Sequence, residues 1–238
     1  MNATRATEDI LRHVQACYKP THSYTSVDLR EFRHVDRKFY ADTQKFLESE
    51  GFVHLVDEED QTLLSAPGNV LRRVPVRAMV SREGDVMAGF YHPRAKFWAS
   101  ILLFLMRAKL GRTIDFETEY TDGSFVVTSN AESAGAMQNP PLIHTEYLPL
   151  ATTVDHLLER HRLRMRVYAE INSEVRTCAV TSIAELRASQ NRMNAIKAAF
   201  REEIGDITLE EIQRASGNHA RFATQIHDRI RQIQRETS

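Results

Sequence analysis

Residues 113–130 read TIDFETEYTDGSFVVTSN, two β-type runs on either side of Asp122-Gly123. The first run alternates strictly, so a strand here puts Ile114, Phe116, Thr118 and Tyr120 on one face and Asp115, Glu117 and Glu119 on the other. An Asp-Gly pair between two such runs predicts a hairpin closed by a type I′ turn. That turn sets Tyr120 opposite Phe125 and Thr118 opposite Val127 on a core face. It sets Glu119 opposite Val126, Glu117 opposite Thr128 and Asp115 opposite Asn130 on the other.

Upstream, Val70–Ser81 and Val86–Tyr91 flank Glu83-Gly84 and predict a second hairpin, with Val80 facing Met87, Met79 facing Ala88 and Val76 facing Tyr91. Both of its faces are apolar, which marks a central hairpin covered on both sides. Val53–Val56 is a shorter β run, and Asp57–Asp60 with Pro67-Gly68 reads as a connecting loop or an edge hairpin. Helical patterning fills residues 35–50, with Phe39, Phe46 and Leu47 near-aligned and a stop at Gly51, and residues 4–18, with Pro20–Ser26 as a polar loop between. Phe97–Met106, FWASILLFLM, is apolar all round but only about half a bilayer span in length, so it reads as a core helix and no membrane span is expected.

Downstream, Ala131–Asn139 is a small-residue loop, Pro140-Pro141 a rigid entry and Ile143–Leu148 a strand bounded by Pro149. Helices follow. Thr152–Asp155, Ser182–Glu185 and Thr208–Glu211 each have a capping-box pattern. The first opens a helix whose stripe runs Val154, Leu157, Leu158, His161, Met165 and Tyr168. Ser216-Gly217-Asn218 breaks the third, and a last helix bears Phe222, Ile226, Ile230 and Ile233.

The expected architecture is therefore α+β: a central antiparallel sheet of about five strands with an inserted helix, and a helical C-terminal region. The divisions are a helical preface over 1–51, an α+β core over 52–170 and C-terminal helices over 171–238. In element order alone, strand, strand, helix, three strands, helix, the core resembles the profilin, longin and PAS group of sensor and adaptor domains. That resemblance implies a topology and no activity.

Composition narrows the function classes. The chain has 238 residues with 31 basic and 32 acidic side chains and a formal charge of −1, an ordinary globular balance that creates no global field for nucleic acid or an anionic membrane. Two cysteines, Cys17 and Cys178, fit no metal spacing and no disulfide scaffold, and the opening residues have no apolar core of a targeting signal, so a cytoplasmic protein is expected. Nine dispersed glycines give no phosphate-cradling loop, and no Gly-x-Ser-x-Gly elbow or paired Cys and His marks a nucleophile, so no cofactor is implied.

The sharpest chemical feature is the stripe Asp115, Glu117 and Glu119. Carboxylates ~7 Å apart along one strand face can share a divalent cation through water or raise one another's pKa. The plainer reading is a solvated face. If the strand at 143–148 pairs alongside, His144 and Glu146 join the acids in a mixed N/O cluster suited to a metal or to acid–base work. His161, on its helix's apolar stripe, reads as a core-edge histidine, and His92, at a strand end before Pro93, as a residue beside a pocket.

The segment 160–166, RHRLRMR, places Arg160, Arg162, Arg164 and Arg166 over a wide helix face as anion contacts or as a solvated flank of the apolar stripe. The helices from 183 onward resemble a helix-turn-helix in outline, but Gln213, Asn218 and a last helix opening on His219 with a single Arg221 depart from it. The leading expectation is a non-catalytic ligand- or protein-binding module with a homo-oligomeric surface on its C-terminal helices. An acid–base or metal-assisted enzyme is second and a DNA-binding regulator third, with nucleic acid the least supported partner.

Overall fold

A computed structural model describes residues 11–12, 14–66, 69, 71–94, 96, 110–216 and 223–237. Its centre is a seven-stranded sheet of β1 (Tyr24–Ser26), β2 (Val53–Asp60), β3 (Val76–Val80), β4 (Met87–Tyr91), β5 (Thr113–Glu119), β6 (Phe125–Ser129) and β7 (Ile143–Tyr147). The strands lie in chain order, antiparallel except for the parallel pair β6–β7. The helices are α1 (Arg37–Ser49), the single turn α2 (Gln61–Leu64), α3 (Val154–Ile171), α4 (Ile183–Ile204), α5 (Leu209–Ser216) and α6 (Ala223–Thr237). The apolar run Phe97–Met106, on which the inserted-helix topology depends, lies outside the described residues, as do Pro67-Gly68 and Phe222. No described helix is long and apolar enough to cross a membrane.

Seven strands replace about five because the chain extends on the β1–β2 side. The tract Asp57–Asp60, expected as a connecting loop or an edge hairpin, continues β2, and Tyr24–Ser26, expected as loop, pairs with it as the edge. An acidic run persists as strand because each carboxylate meets its own partner. Arg77 forks onto Asp57 at 2.6 and 2.7 Å, Arg187 Nε reaches Glu58 at 3.1 Å, Arg73 is bidentate on Glu59, and His22 Nδ1 lies 2.5 Å from Asp60. β3 starts at Val76 and not at residue 70, since Pro75 just before it has no N–H for the ladder.

The β3–β4 hairpin has the expected register: Val80 opposite Met87, Met79 opposite Ala88 and Val76 opposite Tyr91. The β5–β6 hairpin does not. Tyr120 N–H donates to the Ser124 carbonyl and Gly123 N–H to the Tyr120 carbonyl, and in the turn only Gly123 has positive φ, +82°. A type I′ turn needs two such residues, whereas a three-residue type I turn with a glycine bulge needs one. Pairing moves by one residue, to Glu119–Phe125, Glu117–Val127 and Asp115–Ser129 on one face and Thr118–Val126 and Phe116–Thr128 on the other.

That register builds two apolar layers. On one face Met79, Ala88, Phe90, Ile114 and Phe116 pack against Phe39, Tyr40 and Leu47 of α1 and Leu157 and Leu158 of α3. On the other, α4 lies across the sheet, with Leu186 on Val56, Ala78, Val80 and Met87, and Met193 on Phe125, Val127 and Ile143. The result is helix, sheet, helix in three layers, with most of the central strands' side chains buried on both sides. Burying such aliphatic and aromatic groups at roughly 1.5–3 kcal/mol each is the main stabilising term.

Two of the three capping boxes form. Ser182 Oγ accepts from Glu185 N–H, and Thr208 Oγ1 from Glu211 N–H while Glu211 Oε2 accepts in return from Thr208 N–H at 2.9 Å. At the third the N-cap is Thr153, one residue later than the pattern, and its hydroxyl makes no capping bond. Glu211 has a second duty: its other oxygen meets Arg201 at 2.6 Å and Gln138 N–H at 2.7 Å, and both charged side chains are fully buried. Arg201 also covers the Tyr18 ring at 4.5 Å and donates to the Asp206 and Gln138 carbonyls. The apolar stripe of α6 is used internally: Ile226, Ile230 and Ile233 pack with Ile207, Leu209, Ile212, Leu11 and Val14.

Gly84, at φ +77° in the β3–β4 turn, backs onto the segment before α4, and a Cβ there would sit 2.8 Å from the Val180 carbonyl oxygen. Gly51, at φ +88°, faces open space. Gly84→Ala should therefore cost more than ~2 kcal/mol and Gly51→Ala only about 1 kcal/mol. Urea unfolding midpoints of the two variants check this, and equal losses would contradict the close approach.

Candidate functional site

The acidic stripe of β5 is not a solvated face: it lies beneath α4. Strand alternation keeps the three acids together, but each has a different environment. Glu119 is buried and receives Arg192 bidentately at 2.5 and 2.7 Å. Burial alone would raise its pKa; the Arg192 hydrogen bonds and charge outweigh that and hold it below the usual range. Asp115 is desolvated, which raises its pKa against hydrogen bonds from Ser129 and Tyr91 and the field of Lys197. Glu117, between them, is pushed up to about 7 by desolvation, eased by the Lys197 charge and worsened by Asp115. Among the described residues no cation is within ion-pair distance of Glu117, because Lys197 acts on it only at longer range.

His144 and Glu146 do not join the acids. The parallel β6–β7 pairing sets His144 beside Val126 and Glu146 beside Thr128, on the α3 face of the sheet. There Arg160 forks onto Glu146 with both bonds at 2.8 Å, and the His144 ring lies 5.2 Å from Tyr168. Among the described residues no three His, Cys, Asp or Glu side chains converge closely enough to hold a metal ion.

Three of the four arginines of 160–166 face inward or sideways to partners. Arg160 and Arg164 both approach Glu146, and Arg164 also donates to the Val127 and His144 carbonyls and to Thr128 Oγ1. Arg162 meets Glu50 at 2.7 Å. Arg166 is exposed and makes no hydrogen bond or ion pair with a described residue.

His161 is fully buried, its ring tilted against Phe116, with Nε2 3.0 Å from Thr118 Oγ1 and Nδ1 3.1 Å from Thr128 Oγ1. Thr118 Oγ1 donates to the Asp85 carbonyl, and Thr128 Oγ1 already accepts from Arg164. The network therefore assigns the ring proton to Nε2 and leaves Nδ1 to accept from Thr128. Desolvation, helped by Arg164 and Arg162, lowers its pKa to about 3, so it is a neutral structural histidine. Its partners are two hydroxyls, which only the fold brings together.

Beside the acid pair the structure opens a cavity of about 330 Å³. Its apolar wall includes Leu63, Leu64, Leu71, Val74, Val76 and Pro93, and its polar groups are Glu58, Glu59, Asp60, Asn69, Gln190, Arg72 and the phenols of Tyr24 and Tyr91. Tyr91 joins the two features, since it lines the cavity and hydrogen-bonds Asp115. Tyr24 is held by Asn194 of α4 at 3.3 Å, and desolvation with the charges of Asp60, Glu58 and Glu117 raises its pKa. Glu58, almost wholly buried, is raised by desolvation against Arg187. Cys17 lies in the wall as a protonated thiol, pushed up to about 11 mainly by burial. His92 lines a separate, open cleft of about 630 Å³ with Asp36, Arg94, Arg112 and Glu132.

Sequence reasoning found the acids but missed Tyr24, Tyr91, Gln190 and Lys197. Tyr91 was readable as the end of β4, but nothing local shows that it meets Asp115 from the neighbouring strand. Lys197 and Gln190 depend on α4 folding back from more than 70 residues away. No family model, no curated protein and no solved structure matches this chain.

The two titrations have opposite signs. Glu117 is easier to protonate in the folded chain, so its contribution is fully present below pH ~4.5 and is lost as pH rises through about 7. Glu117→Gln should stabilise the protein on the order of 2 kcal/mol at pH 8 and hardly at pH 4.5, whereas Glu119→Gln should destabilise it by ~1–2 kcal/mol at pH 8 by leaving Arg192 half-paired. His161 is harder to protonate when folded, so its contribution is present above pH ~6.5 and is lost as pH falls toward 3. His161→Gln should flatten that acid limb. Denaturant titrations across pH 4–8 read all three, and a Glu117→Gln effect independent of pH would show that its carboxyl is ionised throughout.

Proposed function

We propose that this protein is a non-catalytic module that binds a small, largely apolar ligand bearing a hydrogen-bond donor, in the cavity between α4 and the β1–β4 side of the sheet. One observation carries the reading: an apolar space of about 330 Å³ whose inner polar groups are mostly acceptors. Ligand sites are typically concave and mostly apolar, with a few placed polar groups, and this volume falls at their small end. The donor requirement follows from the wall. Glu58, Glu59 and Asp60 keep carboxylate lone pairs beyond those that Arg187, Arg73 and His22 use, and Tyr91 hydrogen-bonds Asp115. No cofactor is needed for this role. A cytoplasmic location and the profilin, longin and PAS topology belong to the same proposal.

A second reading has a specific observation in its favour. Glu117, titrating at about 7 near Asp115 and in the longer-range field of Lys197, is suited to general acid or base work, and Tyr91, which hydrogen-bonds Asp115, also lines a ligand-sized space. The acid–base enzyme would then use Asp115 and Glu117 without His144 and Glu146. Nucleic-acid binding by the C-terminal helices has less behind it, since the exposed side of α6 mixes Asp228 and Glu236 with Arg235 and offers no basic excess for phosphates.

The test is a matched set of n-hexylamine, n-hexanol and hexanoate read by thermal shift. The amine and the alcohol should raise Tm by a few degrees at millimolar concentration and hexanoate should not, while Leu64→Trp, which fills the cavity, should abolish the response. If none of the three shifts Tm in the wild type, the cavity reading fails. Retained binding in Glu117→Gln separates simple ligand binding from acid–base turnover.

A further inference from the structure

The outer side of α3 carries three aliphatic residues that the fold leaves in solvent. Leu163, Val167 and Ile171 are 39%, 45% and 76% exposed, four residues apart, while the opposite side of the helix holds Leu157, Leu158 and His161 in the core. Spacing of four makes them one continuous ridge. Single exposed aliphatic residues need no explanation, but a row of three along one helix does. Beside the ridge, Arg166 and Glu170 are exposed and make no hydrogen bond or ion pair with a described residue.

The charges have a symmetry of their own. Arg166 and Glu170 are equally far from position 168. A two-fold axis at the height of that position reverses the helix, so that it sets Arg166 of one copy against Glu170 of the other. Arg162 holds Glu50 within its own chain, so the Arg166–Glu170 pair is the charged contact across the axis. No such self-matching is needed for an unrelated partner, and Glu170 opposes docking on an anionic membrane.

We infer that this face is where a second copy of the chain binds, α3 crossing α3 antiparallel about a two-fold axis near residue 168. Ridges of this kind interdigitate at about −50°, and the contact is isologous as two-fold dimers require. A single helix crossing buries less than the roughly 1,200 Å² of a standard interface, so the dimer is weak and depends on concentration.

Sedimentation velocity from micromolar to sub-millimolar protein tests this, with far-UV circular dichroism confirming the fold of each variant. The wild type should pass from monomer to dimer, and Val167→Asp, on an exposed face, should remain monomeric and folded. Arg166→Glu and Glu170→Arg should each weaken association by about tenfold, and the double variant, which restores opposite charges across the axis, should recover most of it. A wild type that stays monomeric throughout overturns the inference. So does a dimer that survives Val167→Asp, or a double variant no better than either single one.

Discussion

A three-residue turn decides which way β6 faces. With only Gly123 in the left-handed region, the hairpin closes with a bulge, and Phe125 and Val127 fall on the same face as Asp115, Glu117 and Glu119. The parallel partner β7 then adds Ile143 to that face. These three apolar residues give Met193 of α4 a place to dock beside a row of acids. Without them the acidic face would offer a helix little apolar surface. With them, α4 covers the acids, and the environment that perturbs Glu117 follows from the register of its neighbour.

Covering charge in this way requires compensation, and the structure provides it unevenly. Glu119 and Glu58 receive arginines from α4, and Asp57 and Glu59 receive theirs from β3 and the segment before it. Among the described residues Glu117 receives only the longer-range field of Lys197. Desolvation then wins over attraction, and the carboxyl holds its proton to near neutral pH. An unevenly compensated acid beside a cavity is the arrangement expected where a fold has given up some stability for function. The Arg201–Glu211 pair shows the opposite case. More deeply buried than Glu117, it is supported by Gln138, Thr208 and the Tyr18 ring, and it fastens the end of α4 to α5 and to the N-terminal segment.

The near-zero net charge conceals local fields on opposite sides of the sheet. The acids of β5 and the arginines of α3 are not complementary to one another, because the sheet separates them. Each set finds its own partners: Arg192 for Glu119, Glu146 for Arg160 and Arg164. Left without an ion-pair partner among the described residues are Asp115 and Glu117 of the one set and Arg166 of the other.

Local chemistry in the sequence determined much of the architecture. The β3–β4 register followed from two apolar runs and a Gly, the stop of α1 from Gly51, the capping of α4 and α5 from Ser182–Glu185 and Thr208–Glu211, and the grouping of Asp115, Glu117 and Glu119 from alternation alone. Each depends on residues within a few positions of one another. Tertiary structure alone decided the rest. A strand of consecutive acids at 57–60 needed arginines and a histidine from elsewhere in the chain. The separation of His144 and Glu146 from the β5 acids needed a parallel pairing. The cavity needed α4 to return across the sheet. A sequence specifies which side chains share a face; which face meets which helix is fixed only when the whole chain has found the arrangement that buries its apolar surface and pairs its charges.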